Sequence, residues 1–226
     1  MNSTDLHNAF REDVRDTQSP YLWTSSEVYR YENDAQNMFC RLQGGIADAS
    51  SPLTQISASA TEPFGTVSSK LLKIRYAARV SDNFEVEILN FEDLQRAGTT
   101  DDYGYYARTG LDNTLGQVRS MIVGMESNKV RFVPIPDAAE TIKLIVYRMP
   151  LVDITGTGIA LEIDEQHHEH LLLWMKHRAY SKQDAETFDK GKAAEFEMRF
   201  REYCRQAREE REKREHKHRA VVYGGY

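Results

Sequence analysis

In the opening segment STDLHNAFREDVRD, apolar residues recur at intervals of four, at Leu6, Phe10 and Val14. Ser3 and Thr4 stand in front of them as N-cap candidates. The spacing puts the three on one face and predicts a short amphipathic helix. SPYLW then breaks the pattern with a proline and supplies aromatics able to pack back onto that helix. In TSSEVYRYENDAQNMFCRLQGG, Thr24 and Glu27 have capping-box spacing, and Val28, Ala35, Phe39 and Leu42 share a face. Gly44-Gly45 gives the stop. Residues 1–50 therefore read as a helical hairpin.

From about Leu53 to Ile154 the period shortens towards two, in LLKIRYAARV, FEVEIL, VRSMIVG, KVRFVPI and TIKLIVYRMP. Turn signals separate these runs at Asp82-Asn83, Gly98, Gly104, Gly110, Gly116 and ESNK. FVPIPDAAETIKLIVY reads as a strand, a proline-directed turn and a returning strand. Residues 51–157 are expected to form an antiparallel meander, with TTDDYGYYARTG as an exposed, tyrosine-bearing loop.

Helical spacing returns after TGTGIALEID. Asp164 is placed to cap a helix running to about Ser181, and a second begins near Thr187 and passes through Phe196, Phe200, Tyr203 and Ala207. These closing helices occupy residues 158–204. Beyond Ala207 the apolar stripe ends, yet REEREKREHKHR keeps helical charge spacing, with acid-first pairs at Glu209–Lys213, Glu210–Arg214 and Glu215–Arg219. Residues 205–226 thus read as a solvated helix standing off the body, closed by the glycine-hinged AVVYGGY. The fold class expected is α+β. A helical bundle of N- and C-terminal segments flanks an inserted antiparallel β-domain and carries a long C-terminal helix and tail.

At 226 residues and 26.0 kDa the chain has room for one large domain or two small ones. Its two cysteines, Cys40 and Cys204, are too few for a disulfide framework or a zinc knuckle and point to a reducing place of synthesis. No apolar run approaches the roughly 18 residues of a membrane span, and no signal peptide is read at the start. A net charge of −6 and a pI of about 5.7 argue against nucleic-acid binding by bulk attraction. The charge is uneven: residues 195–226 hold 9 Lys/Arg against 7 Asp/Glu, net +2, which leaves −8 on residues 1–194.

Four of the seven histidines crowd into DEQHHEHLLLWMKHRAYSK. His167 and His170, at i,i+3, are close enough to share a metal ion, and with a distant carboxylate they would make a metal-dependent hydrolase. Against that, HHEH is not H-E-x-x-H, and no neighbouring segment offers a third ligand. His168 shares a direction with Leu171, Leu172, Met175 and Ala179, and His170 and His177 share another with Leu173 and Trp174. A helix apolar nearly all round is buried on several sides. The expectation is a core or intersubunit helix marked by Trp174, His170 and His177, with first-turn histidines meeting water or capping backbone. The chain shows no G-x-S-x-G, no Walker loop and no G-x-G-x-x-G behind a strand. No catalytic residue, metal or cofactor is expected, and no enzyme activity.

Three stretches carry a resemblance. FREDVRDTQSPYLWTSSEVYRYENDAQNMFCR resembles the opening of the head-to-tail adaptor, or head-completion, proteins of podovirus-like tailed phages: a short helix, a P-Y-L-W turn, and a long helix with N-D-A-Q. FVPIPDAAETIKLIVYRMPL is similar to the hairpin of their β-domain. EIDEQHHEHLLLWMKHRAYSKQDAETFDKGKAAEFEMRF is similar to their closing helical pair. The chain departs from the pattern at LQGGIADASS, which lacks the basic residues expected there.

The resemblance implies a structural virion protein without catalysis. It would form a dodecameric ring below the portal, connecting portal to tail nozzle or tail tube and continuing the DNA channel. Its partners would be the portal, the downstream tail protein, copies of itself, and double-stranded DNA sliding through without specific binding. No membrane is involved; the location implied is the virion neck, after synthesis in the host cytoplasm. Another neck or tail-completion ring is the near alternative. The C-terminal extension would dock into the portal, with Arg211, Arg214 and Arg219 pairing with acids and Tyr223 and Tyr226 filling apolar notches.

Overall fold

The computed structural model describes residues 1–92, 114–184 and 186–215. The fold is α+β and divides into two compact units. One is helical, formed by Met1–Gly45 and the described residues from Pro150 onward; the other is the β unit Ile46–Met149.

In the helical unit, α1 spans Ser3–Asp13 and α2 spans Ser25–Gln43. Asn2 caps α1, in place of the expected Ser3 or Thr4, through a reciprocal pair of hydrogen bonds with Asp5. The two hydroxyls are drawn instead to a distant loop. Ser3 Oγ donates to Gly156 O and accepts from Ile159 N–H, and Thr4 Oγ1 accepts from Gly158 N–H. Helix α2 carries the Thr24–Glu27 capping box and ends at Gly44 in the left-handed region, φ 98°, which glycine adopts without steric cost.

Asp164 leads into a 3-10 turn, Glu165–His167, and makes no side-chain cap bond; α3 proper runs His168–Tyr180. Its apolar stretch is buried as expected, with Leu171, Trp174 and Met175 at most 4 % exposed. The last helix, α4, spans Lys190–Glu215. It starts three residues after Thr187 because Asp184 binds Thr187 into a preceding turn, and Asp189 takes over the cap by accepting from Lys192 N–H. Ala193, Phe200, Cys204 and Ala207 form its buried stripe.

The β unit centres on β10, Glu140–Arg148. On one side β10 pairs with β1 (Ile46–Asp48) and β2 (Gln55–Ala58), and on the other with β4 (Leu71–Arg79), all antiparallel. A second sheet orders β3 (Phe64–Thr66), β8 (Lys129–Val133), β7 (Ser120–Val123) and β5 (Glu87–Asn90). The β7–β8 hairpin closes over the ESNK turn, as the sequence suggests.

Two expectations need correction. The segment expected as one hairpin, FVPIPDAAETIKLIVY, crosses between sheets: β8 pairs with β3 and β7, and β10 belongs to the other sheet. The order is also not a plain meander, because β5 runs parallel to β7, and β6 (Leu115–Gly116) runs parallel to β9 (Ile135–Pro136). Ile56, Ile74, Met121, Phe132, Ile142 and Leu144 fill one core shared by the two sheets. Gly65 permits the close packing there, since a Cβ at that position would lie 2.5 Å from Phe132 Cζ and 2.8 Å from Ile56 Cγ2. The loop expected over TTDDYGYYARTG lies outside the described residues.

Candidate functional site

The P-Y-L-W turn between α1 and α2 is held by a buried ion pair. Arg11 Nη1 donates to Asp16 Oδ2 at 2.6 Å, and Arg11 Nη2 donates to Trp23 O at 3.0 Å. Asp16 accepts in turn from Leu22 and Trp23 N–H. A charge pair this far from water survives only when its remaining hydrogen-bonding capacity is also filled, and the turn backbone does that. Trp23 is thereby fixed in the core, edge-on to Phe10 at 5.8 Å. Arg11 Nε donates to His7 Nε2, so the proton of the neutral imidazole sits on Nδ1, 3.6 Å from Glu32 Oε1. Burial raises the pKa of Glu32 above the ordinary carboxylate value, and the nearby His7 offsets that only in part. None of these four polar residues stood out in the sequence. Glu32 carried a signal nonetheless, because it occupies the apolar stripe between Val28 and Ala35.

The histidine helix is knitted into the same unit. His167 is buried, with Nδ1 2.7 Å from the Tyr203 hydroxyl and Nε2 3.2 Å from the Gln166 amide. His168 is buried with Nε2 on Ile163 O at 2.7 Å. His168 thus meets backbone, one of the two expected alternatives, whereas His167 finds side-chain partners in place of water. His170 lies flat on the Tyr203 ring, centroids 3.5 Å apart. His177 Nδ1 meets Ala193 O at 2.9 Å, joining α3 to the start of α4. Trp174 packs on Phe200 and donates from Nε1 to Asp34 Oδ2 at 2.8 Å. Burial lowers the pKa of His167 and His170, which keeps both neutral at pH 7. Both nitrogens of His167 are engaged, and among the described residues no three His, Cys, Asp or Glu side chains gather as a metal-holding group.

The exposed side of α4 is a ladder of ion pairs: Arg199–Glu195, Arg201–Glu197, Arg205–Glu202, Arg205–Glu209 and Arg208–Glu212. Arg205–Glu209, Arg208–Glu212 and a further pair, Arg211–Glu215, run base first, unlike the acid-first pairs expected, of which Glu215–Arg219 reaches outside the described residues. Solvent-exposed pairs of this kind contribute little singly, but together they favour one continuous helix. The helix also does not leave the body at residue 205. Ala207 is buried, and Arg211 Nη1 donates to Gly45 O at 2.9 Å over the end of α2. Of the residues expected to dock on the portal, Arg211 is therefore committed within its own chain, and Arg214 is exposed. Arg219, Tyr223 and Tyr226 lie outside the described residues.

No curated protein matches the chain at a significant level. A family model described as SU10 adaptor protein matches residues 1–222. That span takes in the clamped turn, both units and the helix with its ion-pair ladder. The chain belongs to the SU10 adaptor protein family, and is a structural head-to-tail adaptor of a tailed phage.

Proposed function

We propose that this adaptor is one subunit of a homododecameric ring in the neck of a podovirus-like virion. The ring sits between the portal and a tail nozzle or tail-tube protein and continues the channel through which double-stranded DNA passes. It has no catalytic step, and it is made in the host cytoplasm before assembly. The match to the adaptor family over nearly the whole chain carries this reading. An acidic chain, net −6, suits a channel wall along which DNA slides without sticking. Among the described residues no helix is long and apolar enough to cross a membrane. Portal docking is assigned to the C-terminal segment, through Arg214, Arg219, Tyr223 and Tyr226, with Arg211 as the anchor that ties α4 to the body.

Electron microscopy of particles carrying the protein should show twelve copies around the tail axis, in contact with the portal. A different copy number, or absence from the neck, overturns the reading. Metal analysis of the purified protein addresses the hydrolase alternative: stoichiometric zinc that disappears in His167→Ala would favour it.

A further inference from the structure

Tyr21 and Leu22 are 47 % and 44 % exposed, although they belong to a turn fixed from beneath by the buried Arg11–Asp16 pair. Asp16 Oδ1 holds the Leu22 N–H at 2.9 Å, and the Tyr21 ring lies over the Arg11 guanidinium at 3.9 Å. Two apolar side chains are thus presented to solvent on a rigid platform. Such preorganised aromatic tips suit a contact, because little ordering entropy is left to lose. The same unit carries a groove of about 260 Å³ lined by Leu172 and Leu173 together with Asp13, Glu169, His170 and Lys176. None of the tip residues lines the chain's own groove.

Charge picks the occupant. Asp16 is paired with Arg11, and Arg15, its neighbour in the chain, is exposed; Lys176 is paired with Asp13, so Glu169 leaves the groove lining negative. Copies of a chain with net charge −6 repel one another except where opposite signs meet. We propose that the Tyr21–Leu22 tip of one copy seats in the Leu172–Leu173 groove of the next, with Arg15 facing Glu169. Tip and groove are different patches, so the contact is head-to-tail and repeats from copy to copy until the rotation closes. One tyrosine and one leucine cover less area than a stable interface needs, so this contact sets register within a larger one.

The inference rests on the ring reading, and disulfide trapping in assembled particles separates the two. Native Cys40 and Cys204 are buried, and burial pushes the Cys204 thiol up to about 12, so the background is silent. Leu22→Cys with Leu173→Cys should give, on mild oxidation, a ladder of covalent dimers, trimers and larger multiples, and neither single variant should. Twelve-copy rings that yield no ladder overturn the inference and leave the ring reading intact. Particles with no ring overturn both. Charge reversal gives an independent arm: Arg15→Glu and Glu169→Arg should each cut ring incorporation at least tenfold, and the double variant should restore it. Loss without restoration also overturns the pairing.

Discussion

Glu32 in the helical unit and Asp48 in the β unit are both buried acids, and their surroundings move them in opposite directions. Glu32 sits mid-helix, where neighbouring amides are spent on carbonyls four residues back. His7 Nδ1 stands 3.6 Å from its Oε1, and burial raises its pKa. Asp48 stands at the end of β1, where the chain turns. Burial works against its charge too, but Ser50 and Ser51 N–H and the Arg148 side chain converge on it. They hold the carboxyl well below the usual carboxylate range. A strand-to-turn junction has free donors to offer and a helix interior has none. Glu32 therefore depends on a neighbouring side chain, whereas Asp48 draws on backbone amides as well as on Arg148.

The largest test of that contrast lies in the helical unit. Trp174→Ala should cost about 3–5 kcal/mol, through the lost contact with Phe200 and an Asp34 left without its indole donor. Arg11→Met should cost a similar amount, about 3–5 kcal/mol, by leaving Asp16 buried and unpaired. Both tryptophans of the chain, Trp23 and Trp174, are in this unit, so their fluorescence follows it selectively. Urea unfolding read by fluorescence measures both costs, Trp23 reporting alone in the first variant. An Arg11→Met protein as stable as the parent would show that the clamp contributes nothing.

The β unit offers a smaller effect with a different cause. Gly65→Ala places a methyl against Phe132 and Ile56 in the core and should cost about 1–3 kcal/mol, read by far-ultraviolet circular dichroism. Gly44→Ala should cost about 1–2 kcal/mol for its backbone conformation alone, because the neighbour there is the end of Arg211, which can withdraw. If Gly65→Ala is neutral, the packing between the two sheets is looser than the distances indicate.

The helical unit was the more legible in the sequence. Apolar spacing and the Thr24–Glu27 box placed α2 almost to the residue, because a helix is written in contacts three and four apart. Strand existence in the β unit was equally readable from the period of two. Which strands pair was not, since β10 takes partners from near residues 47, 57 and 75, and no local pattern encodes such separations. The polar clamp escaped for a related reason: Arg11, Asp16 and the Trp23 carbonyl meet only once the turn has folded. The same holds for Arg211, whose partner at Gly45 lies 166 residues away.

The two acids give opposite pH behaviour. A raised carboxyl pKa means Glu32 contributes most below its ordinary value of 4.5 and loses that contribution as pH climbs through the folded value. Glu32→Gln should therefore raise Tm at pH 8 and leave it unchanged near pH 4. Asp48, with a lowered pKa, contributes above its ordinary value of 3.8 and loses that contribution on acidification. Asp48→Asn should cost about 1–2 kcal/mol at pH 7 and progressively less towards pH 3. Calorimetric Tm values for the parent and both variants from pH 3 to 8 test this directly. Parallel pH profiles for the two variants would mean that local donors do not decide the sign.

The smallest expected change in stability belongs to the C-terminal segment, and it carries the largest expected change in function. Towards its C-terminal end α4 is tied to the helical unit by the buried Ala207 and by the Arg211 bond to Gly45. Deleting residues 220–226 removes neither, so the fluorescence-detected stability should shift by less than about 0.5 kcal/mol. If Tyr223 and Tyr226 fill notches on the portal, the same deletion should abolish or greatly weaken attachment to portal rings. Arg211→Ala is the matching control, because it releases the Gly45 carbonyl and should lower stability by about 1 kcal/mol while leaving the docking residues in the chain. Sedimentation with purified portal separates the two variants. A truncated chain that binds portal as tightly as the parent moves the docking role away from the last residues and onto the helical unit, where the exposed ladder of α4 is the next surface to test.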